Sequence, residues 1–195
     1  MIVLGLTGSI GMGKSTTAKM FAESGAATYD ADAAVHKLYR RRAAPLIEAA
    51  FPGVVINGVV DRSLLAQRVI GKPEAMKKLE AIVHPIVREE EESFLANAWS
   101  EGRRIAVLDI PLLFETGGDD RVRACVVVTA DAEIQRKRVF ERPEMTAERF
   151  EQILAKQMPD DEKRRRAHFL IDTGLGFDPA KRAVEAILKA VACMA

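Results

Sequence analysis

The chain has 195 residues, 48% of them hydrophobic and 29% charged, with 29 Lys and Arg against 28 Asp and Glu for a formal net charge of +1. That length suits one compact domain, or one domain carrying a sizeable insertion, and the composition excludes a disordered chain, which would be poorer in apolar residues. Near-neutral balance argues against a protein that coats nucleic acid through bulk charge, and two cysteines, Cys125 and Cys193, are too few for a disulfide scaffold.

Ile2–Leu6 is a short apolar, β-compatible run with no basic residue before it, so it reads as a buried strand rather than a leader. No window approaches the roughly 18 apolar residues of a membrane span, and the expectation is a soluble, cytoplasmic protein without a membrane partner. Lys14–Ser24 follows with helical spacing, placing Ala18, Phe21 and Ala22 on one face. Ala27–Tyr29 is the second candidate strand. Residues 33–103 have little strand character and predict helices over Pro45–Phe51, Arg62–Ile70, Pro73–Val83 and Pro85–Ala98, with Asn57-Gly58 marking a turn. Ile105–Leu108, Cys125–Val128 and Phe169–Ile171 are further strands; Cys125 reads as a buried core thiol. Helices are expected over Ala132–Glu141 and Pro179–Ala192, the latter capped by Asp178. Strands alternating with helices predict an α/β fold, a parallel sheet covered on both faces.

Gly8-Ser9-Ile10-Gly11-Met12-Gly13-Lys14-Ser15 matches the phosphate-loop pattern G-x-x-x-x-G-K-[ST] in full, after a strand and before a helix. Glycines let successive N–H groups converge on phosphate oxygens, and the helix N-terminus adds partial positive charge. Gly11, Met12, Gly13, Lys14, Ser15 and Thr16 are therefore the candidate ATP-binding residues, with Lys14 reaching the β- and γ-phosphates and the Ser15 hydroxyl available to Mg²⁺. The N-K-x-D motif that reads guanine is missing, which favours a small-molecule kinase over a GTPase.

Asp30-Ala31-Asp32 follows the second strand at the sheet's carboxyl edge, where open α/β folds bind ligands. A carboxylate there either accepts a hydroxyl proton or caps the next helix, and spacing alone leaves both open. Asp109 ends the Ile105–Leu108 strand, where a carboxylate supports Mg²⁺ or simply sits in a loop. His36 and His84 are packing residues or ligand contacts. Arg136, Lys137, Arg138 and Arg142 either neutralise transferring phosphate or form a solvated face. Lys163–Arg166 reads as an exposed helical run, and Glu89–Glu92 as solvated surface.

Taken in order, the phosphate loop, Asp30-Ala31-Asp32 with His36, His84-Pro85-Ile86-Val87-Arg88, Asp109-Ile110-Pro111-Leu112-Leu113-Phe114-Glu115, the Arg138/Arg142 region, Gln152–Gln157 and Ile171-Asp172 resemble the dephospho-coenzyme A kinase family over nearly the whole chain. The resemblance implies transfer of the ATP γ-phosphoryl group to the ribose 3′-hydroxyl of dephospho-CoA, with ATP and Mg²⁺ required. It implies a single P-loop kinase domain: a core of 1–32, 104–130 and 167–195, a helical CoA-binding insertion at 33–103 and a lid at 131–166. Asp32 falls on the catalytic base; Lys14 and Arg138 fall on positions that stabilise transferred charge. Arg142 joins the ATP-binding set, His84 and Arg88 line the acceptor side with Asp32, and Ser15 and Asp109 serve the metal. A monomer or weak homo-oligomer without nucleic acid is expected. Other P-loop kinases acting on a nucleoside, nucleotide or shikimate-like alcohol, or a non-catalytic nucleotide switch, are the competing classes. Two departures stand out: Thr173 replaces the family's usual asparagine, and Pro143 follows Arg142 where an acidic residue or asparagine is common.

Overall fold

The computed structural model describes residues 1–143 and 145–193. Glu144, within the expected lid, and residues 194–195, at the end of the expected core, lie outside the described residues. In chain order the elements are β1 (Ile2–Thr7), α1 (Lys14–Glu23), β2 (Ala27–Asp30), α2 (Ala31–Leu38), α3 (Ala43–Ala50), β3 (Val55–Ile56), β4 (Val59–Val60), α4 (Arg62–Val69) and α5 (Pro73–Ser100). They continue with β5 (Ile105–Asp109), β6 (Ala124–Thr129), α6 (Ala132–Phe140), α7 (Ala147–Leu154), α8 (Asp160–Arg166), β7 (Phe169–Asp172) and α9 (Phe177–Ala192). Among the described residues no helix is long and apolar enough to cross a membrane.

The main sheet has five strands in the order β2-β5-β1-β6-β7. β1 runs parallel to β5, with Leu4 beside Val107, and parallel to β6, with Leu6 beside Val126; β6 and β7 are also parallel. The three inner strands β5, β1 and β6 are rich in Val, Ile and Leu because both their faces are covered, whereas the edge strands β2 and β7 leave Asp30, Leu170 and Asp172 exposed. On one face, Phe21 and Met20 of α1 and Val184, Ile187 and Val191 of α9 pack with Leu4, Leu6, Val126 and Val128 into one core cluster. On the other, a Cβ at Gly5 would meet Leu113 Cδ2 at 2.8 Å, which shows how tightly the segment after β5 lies on β1. Parallel order carries the carboxyl ends of β1, β5 and β6 to one edge, so the Gly8–Gly13 loop, Asp109 at the end of β5 and Thr129 at the end of β6 share it.

The chain divides into two compact units, residues 1–29 with 98–195, and residues 30–97. The second has its own core of Leu38, Ile47, Val54, Leu65, Val83 and Ile86. Here β3 and β4 form an antiparallel hairpin, Val55 opposite Val60. Its turn is Asn57-Gly58, with φ of 52° and 77°, the paired left-handed conformation that a two-residue hairpin needs.

Three local readings change. Pro85 does not divide two helices: α5 is one helix of 28 residues. Leu79, Val83 and Ile86 are all buried in the same cluster, so the apolar stripe continues past the proline and holds both halves on one core. Helix α9 begins at Phe177, and its N-cap is Gly176 rather than Asp178, which lies inside the first turn. Glu91 is buried at 6% exposure, unlike its exposed neighbours Glu89 and Glu92.

Candidate active site

The loop between β1 and α1 is held from several sides. Gly11 and Gly13 have φ of 80° and 87°, which side chains rarely adopt. A Cβ on Gly11 would also meet Val139 Cγ2 at 2.6 Å, and one on Gly13 would meet Thr173 Oγ1 at 3.0 Å. Ile10 is gripped through its backbone on both sides. Its N–H donates to Gln157 Oε1 at 3.0 Å, and its carbonyl accepts from Gln135 Nε2 at 2.7 Å. Met12 is buried, with its sulfur accepting from the Ala130 N–H at 3.1 Å, so only its backbone faces the loop's interior. Thr17 turns its hydroxyl back onto the Gly13 carbonyl at 3.1 Å.

Lys14 leaves the first turn of α1 and its Nζ donates to Asp109 Oδ1 at 2.5 Å. Asp109 is 4% exposed, so this carboxylate needs a cationic partner, and the phosphate-loop lysine supplies it. Ser15 and Thr16 are exposed on the same turn.

A cleft of about 330 Å³ opens beside the loop, lined among others by Gly11, Gly13, Thr16, Arg138, Arg142 and Thr173. Five residues read from the sequence as ATP-binding or charge-stabilising thus meet in one cavity. The basic cluster is sorted by the fold. Arg138 and Arg142 line the cleft, whereas Arg136 stacks on the edge-to-face pair Phe140 and Phe150, at 5.9 and 5.8 Å from their centroids. Lys137 is exposed and lines no part of it.

Lys163 corrects the expectation of an exposed run over Lys163–Arg166. Its side chain is 0% exposed and its Nζ lies 2.9 Å from Glu115 Oε1. The same oxygen accepts from the Met158 N–H at 2.7 Å, and Lys163 Nζ also reaches the Pro111 carbonyl at 3.5 Å. One face of α8 turns inward, so its run of four cations mixes one buried ion with solvated ones. The pair fastens the segment carrying Gln157 to the segment after Asp109.

In the 30–97 unit, Asp30 caps α2 by accepting from the Ala33 N–H at 2.9 Å. Asp32 is therefore released from capping and stands exposed in the first turn, without a hydrogen bond or ion pair among the described residues. It lines a cleft of about 200 Å³ with Val35, His36, Tyr39 and Arg62. Burial raises the Tyr39 hydroxyl's pKa, and the Arg62 charge partly opposes that. His84 and Arg88 do not line this cleft; they stand exposed one turn apart on α5, with Arg88 Nε 3.7 Å from Glu92 Oε1. Arg42, from the basic stretch before α3, is drawn to Glu89 at 2.6 Å and Glu90 at 3.5 Å.

The dephospho-CoA kinase (CoaE) family model matches residues 2–176. The chain belongs to the dephospho-CoA kinase family. It is 63% identical over 188 residues to the dephospho-CoA kinase of Mesorhizobium japonicum, covering 96% of this chain and 95% of that one. It is 58% identical over 194 residues to the dephospho-CoA kinase of Rhodopseudomonas palustris, covering 100% and 98%. Among solved structures, TT1252 from Thermus thermophilus aligns with a TM-score of 0.86 and 35% identity, covering 99% of this chain and 97% of that one. Family membership makes the chain a phosphotransferase with ATP as co-substrate, and the α/β P-loop sheet with helices on both sides is the family's fold.

Sequence reasoning passed over Gln135, Tyr39 and Arg62, and misread Lys163 as exposed. Gln135, Tyr39 and Arg62 sit at ordinary helical positions with no motif around them. Only the packing of α6 against the loop, and of α2 with the start of α4, reveals what they reach.

Proposed function

We propose that this chain phosphorylates the ribose 3′-hydroxyl of dephospho-CoA with the γ-phosphoryl group of ATP, giving CoA and ADP in the last step of CoA synthesis. The observation that carries the reading is the family match across residues 2–176 together with the braced loop and its Lys14–Asp109 pair. ATP would be held by the backbone of Gly11–Thr16, with Arg142 on the wall of the cleft. Lys14 and Arg138 would stabilise the charge that gathers on the transferring group. Lys14 would exchange part of its contact with Asp109 for phosphate oxygens, a trade between anions that leaves its charge paired throughout.

Asp32 would accept the proton of the attacking hydroxyl. Support comes from its exposed carboxylate, without a partner among the described residues, in a cleft that also carries His36 and Arg62. His84 and Arg88 would meet the phosphate-rich acceptor from the exposed face of α5. Ser15 and Asp109 fit Mg²⁺ as hard oxygen donors: the Ser15 hydroxyl is exposed and without a partner among the described residues, and Asp109 ends a buried strand. When bound, the ion would neutralise phosphate charge. We further read the chain as a core (1–32, 104–130 and 167–195), an acceptor-binding insertion (33–103) and a lid (131–166). It would work in the cytosol as a monomer or weak homo-oligomer, on small molecules rather than nucleic acid.

The test is to incubate purified protein with ATP, Mg²⁺ and a panel of acceptors: dephospho-CoA, a nucleoside, a nucleotide and shikimate. CoA formation from dephospho-CoA alone is the expected result. Folded protein that makes no CoA above blank, or that prefers another acceptor, overturns the reading.

A further inference from the structure

Thr173 directly follows β7, and the structure gives it an unusual number of duties. It is buried at 8% exposure. Its hydroxyl lies 2.9 Å from the Met12 carbonyl and 3.2 Å from the Thr129 carbonyl, so it donates its one proton into the base of the phosphate loop or the end of β6. The same oxygen accepts from Arg138 Nη1 at 2.8 Å, and the Thr173 main-chain carbonyl accepts from Arg138 Nη2 at 2.8 Å.

Both terminal nitrogens of Arg138 are thus engaged by one residue. A guanidinium is a rigid planar fork, so two parallel bonds to one residue set its plane and reach, not merely its position. Thr173 also lies against Gly13, where an added Cβ would meet its Oγ1, Cγ2 and Cβ at 3.0, 3.1 and 3.2 Å. One hydroxyl therefore joins the Arg138 side chain to the backbone of the loop that begins α1.

We propose that Thr173 is a positioning residue for phosphoryl transfer: its hydroxyl orients Arg138 and keeps it in register with the phosphate loop. This rests on reading the cleft as the ATP site and Arg138 as a stabiliser of transferred charge. Threonine is suited to the place because its methyl group fills the contact with Gly13 while its oxygen works both as donor and acceptor. The main-chain bond to Nη2 survives any side-chain change, so substitution isolates the hydroxyl's share.

The experiment is steady-state kinetics in ATP and dephospho-CoA for Thr173→Val, Thr173→Ser, Arg138→Lys and the Thr173→Val/Arg138→Lys double variant, each with a melting curve. Losing one hydrogen bond to a charged group corresponds to about 10- to 100-fold in rate. Thr173→Val should lower kcat by about that much, with KM for dephospho-CoA held within about threefold. Thr173→Ser should stay within about threefold of the parent in kcat. The double variant should be no more than about threefold slower than Arg138→Lys alone, because the hydroxyl acts through that side chain. Independent, multiplying losses would overturn the proposal, as would a Val variant of parental kcat or a Ser variant as slow as Val. Should the melting curve show that Thr173→Val fails to fold, Thr173→Ala is read against the same limits. A parent chain that makes no CoA overturns the underlying assignment of the site; an active parent with an unimpaired Val variant overturns the role of Thr173 alone.

Discussion

The two compact units hold their candidate residues in opposite ways. In the unit made of 1–29 and 98–195, key residues are fixed by others: Ile10 by two glutamines, Lys14 by Asp109, Arg138 by Thr173. In the unit made of 30–97, Asp32, His84 and Arg88 stand exposed on helices, and the nearest charged partner of Arg88 is 3.7 Å away. Triphosphate recognition depends on backbone N–H groups that must already converge, so that loop has to be rigid before ligand arrives. In the reading proposed above, acceptor recognition would rely on side chains at helical positions, which helix geometry alone presents. The same kind of substitution should therefore disturb structure in one unit and kinetics in the other.

The largest expected effects test the chemistry in both units. Lys14→Met should lower kcat by about 10²- to 10³-fold or more, the usual loss for an electrostatic stabiliser. It also removes the ion-pair partner 2.5 Å from the buried Asp109 carboxylate, so its melting temperature should fall. Asp32→Asn should lower kcat by about 10²-fold or more with melting nearly unchanged, because that carboxylate makes no hydrogen bond or ion pair among the described residues. A destabilised Asp32→Asn variant would break the contrast between the units.

Next comes the Glu115–Lys163 pair. Lys163→Met leaves Glu115 with its charge and without its cation, and removing one member of a buried pair costs about 3–5 kcal/mol. Urea unfolding should show a lower midpoint without a change in slope. Because Glu115 also accepts from the Met158 N–H, next to Gln157, the variant should raise KM for ATP as well. A stability change below about 1 kcal/mol would mean that the pair is worth no more than a surface one.

A smaller effect is expected at His84 and Arg88. Either alanine variant should raise KM for dephospho-CoA severalfold, leave KM for ATP alone and move stability by no more than about 0.5 kcal/mol. Equal changes in both KM values would remove them from the acceptor side.

The smallest effect concerns Glu48 in α3. N–H groups of Gly53, Val55 and Val54, at 2.7, 2.9 and 3.2 Å, hold its carboxyl below the usual carboxylate range. A lowered folded-state pKa means that the contribution is complete at neutral pH. It fades as pH falls through the ordinary carboxylate range towards the folded value. The melting temperatures of parent and Glu48→Gln should therefore differ most near pH 7 and converge in acid. A gap that widens in acid would contradict the sign.

Much of the site was legible because phosphate chemistry writes itself into contiguous residues. Gly8–Ser15 carries the full phosphate-loop pattern in contiguous residues, and the alternation of apolar runs with helical stretches foretold the parallel sheet. Asp30 and Asp32 were inseparable by spacing, and only the hydrogen bond to the Ala33 N–H assigned the cap to one and left the other free. Pro85 looked like a break because proline removes a helical bond, and the buried stripe of Leu79, Val83 and Ile86 outweighed it. Lys163 looked solvated because charge runs usually are, and no local signal distinguishes an inward-facing lysine from its neighbours.

The chain's own order of residues was enough to mark the family: a complete phosphate-loop pattern, and further segments specific to that family. Tertiary structure decided which side chains serve that loop. Gln135, Gln157, Thr173 and Lys163 lie far along the chain from Gly8–Ser15, and their roles rest on hydrogen bonds that form only when α6, α8 and β7 pack beside β1 and β6. Backbone conformation is dictated by near neighbours in sequence, whereas the partner of a buried polar group is whatever the fold brings within about 3 Å.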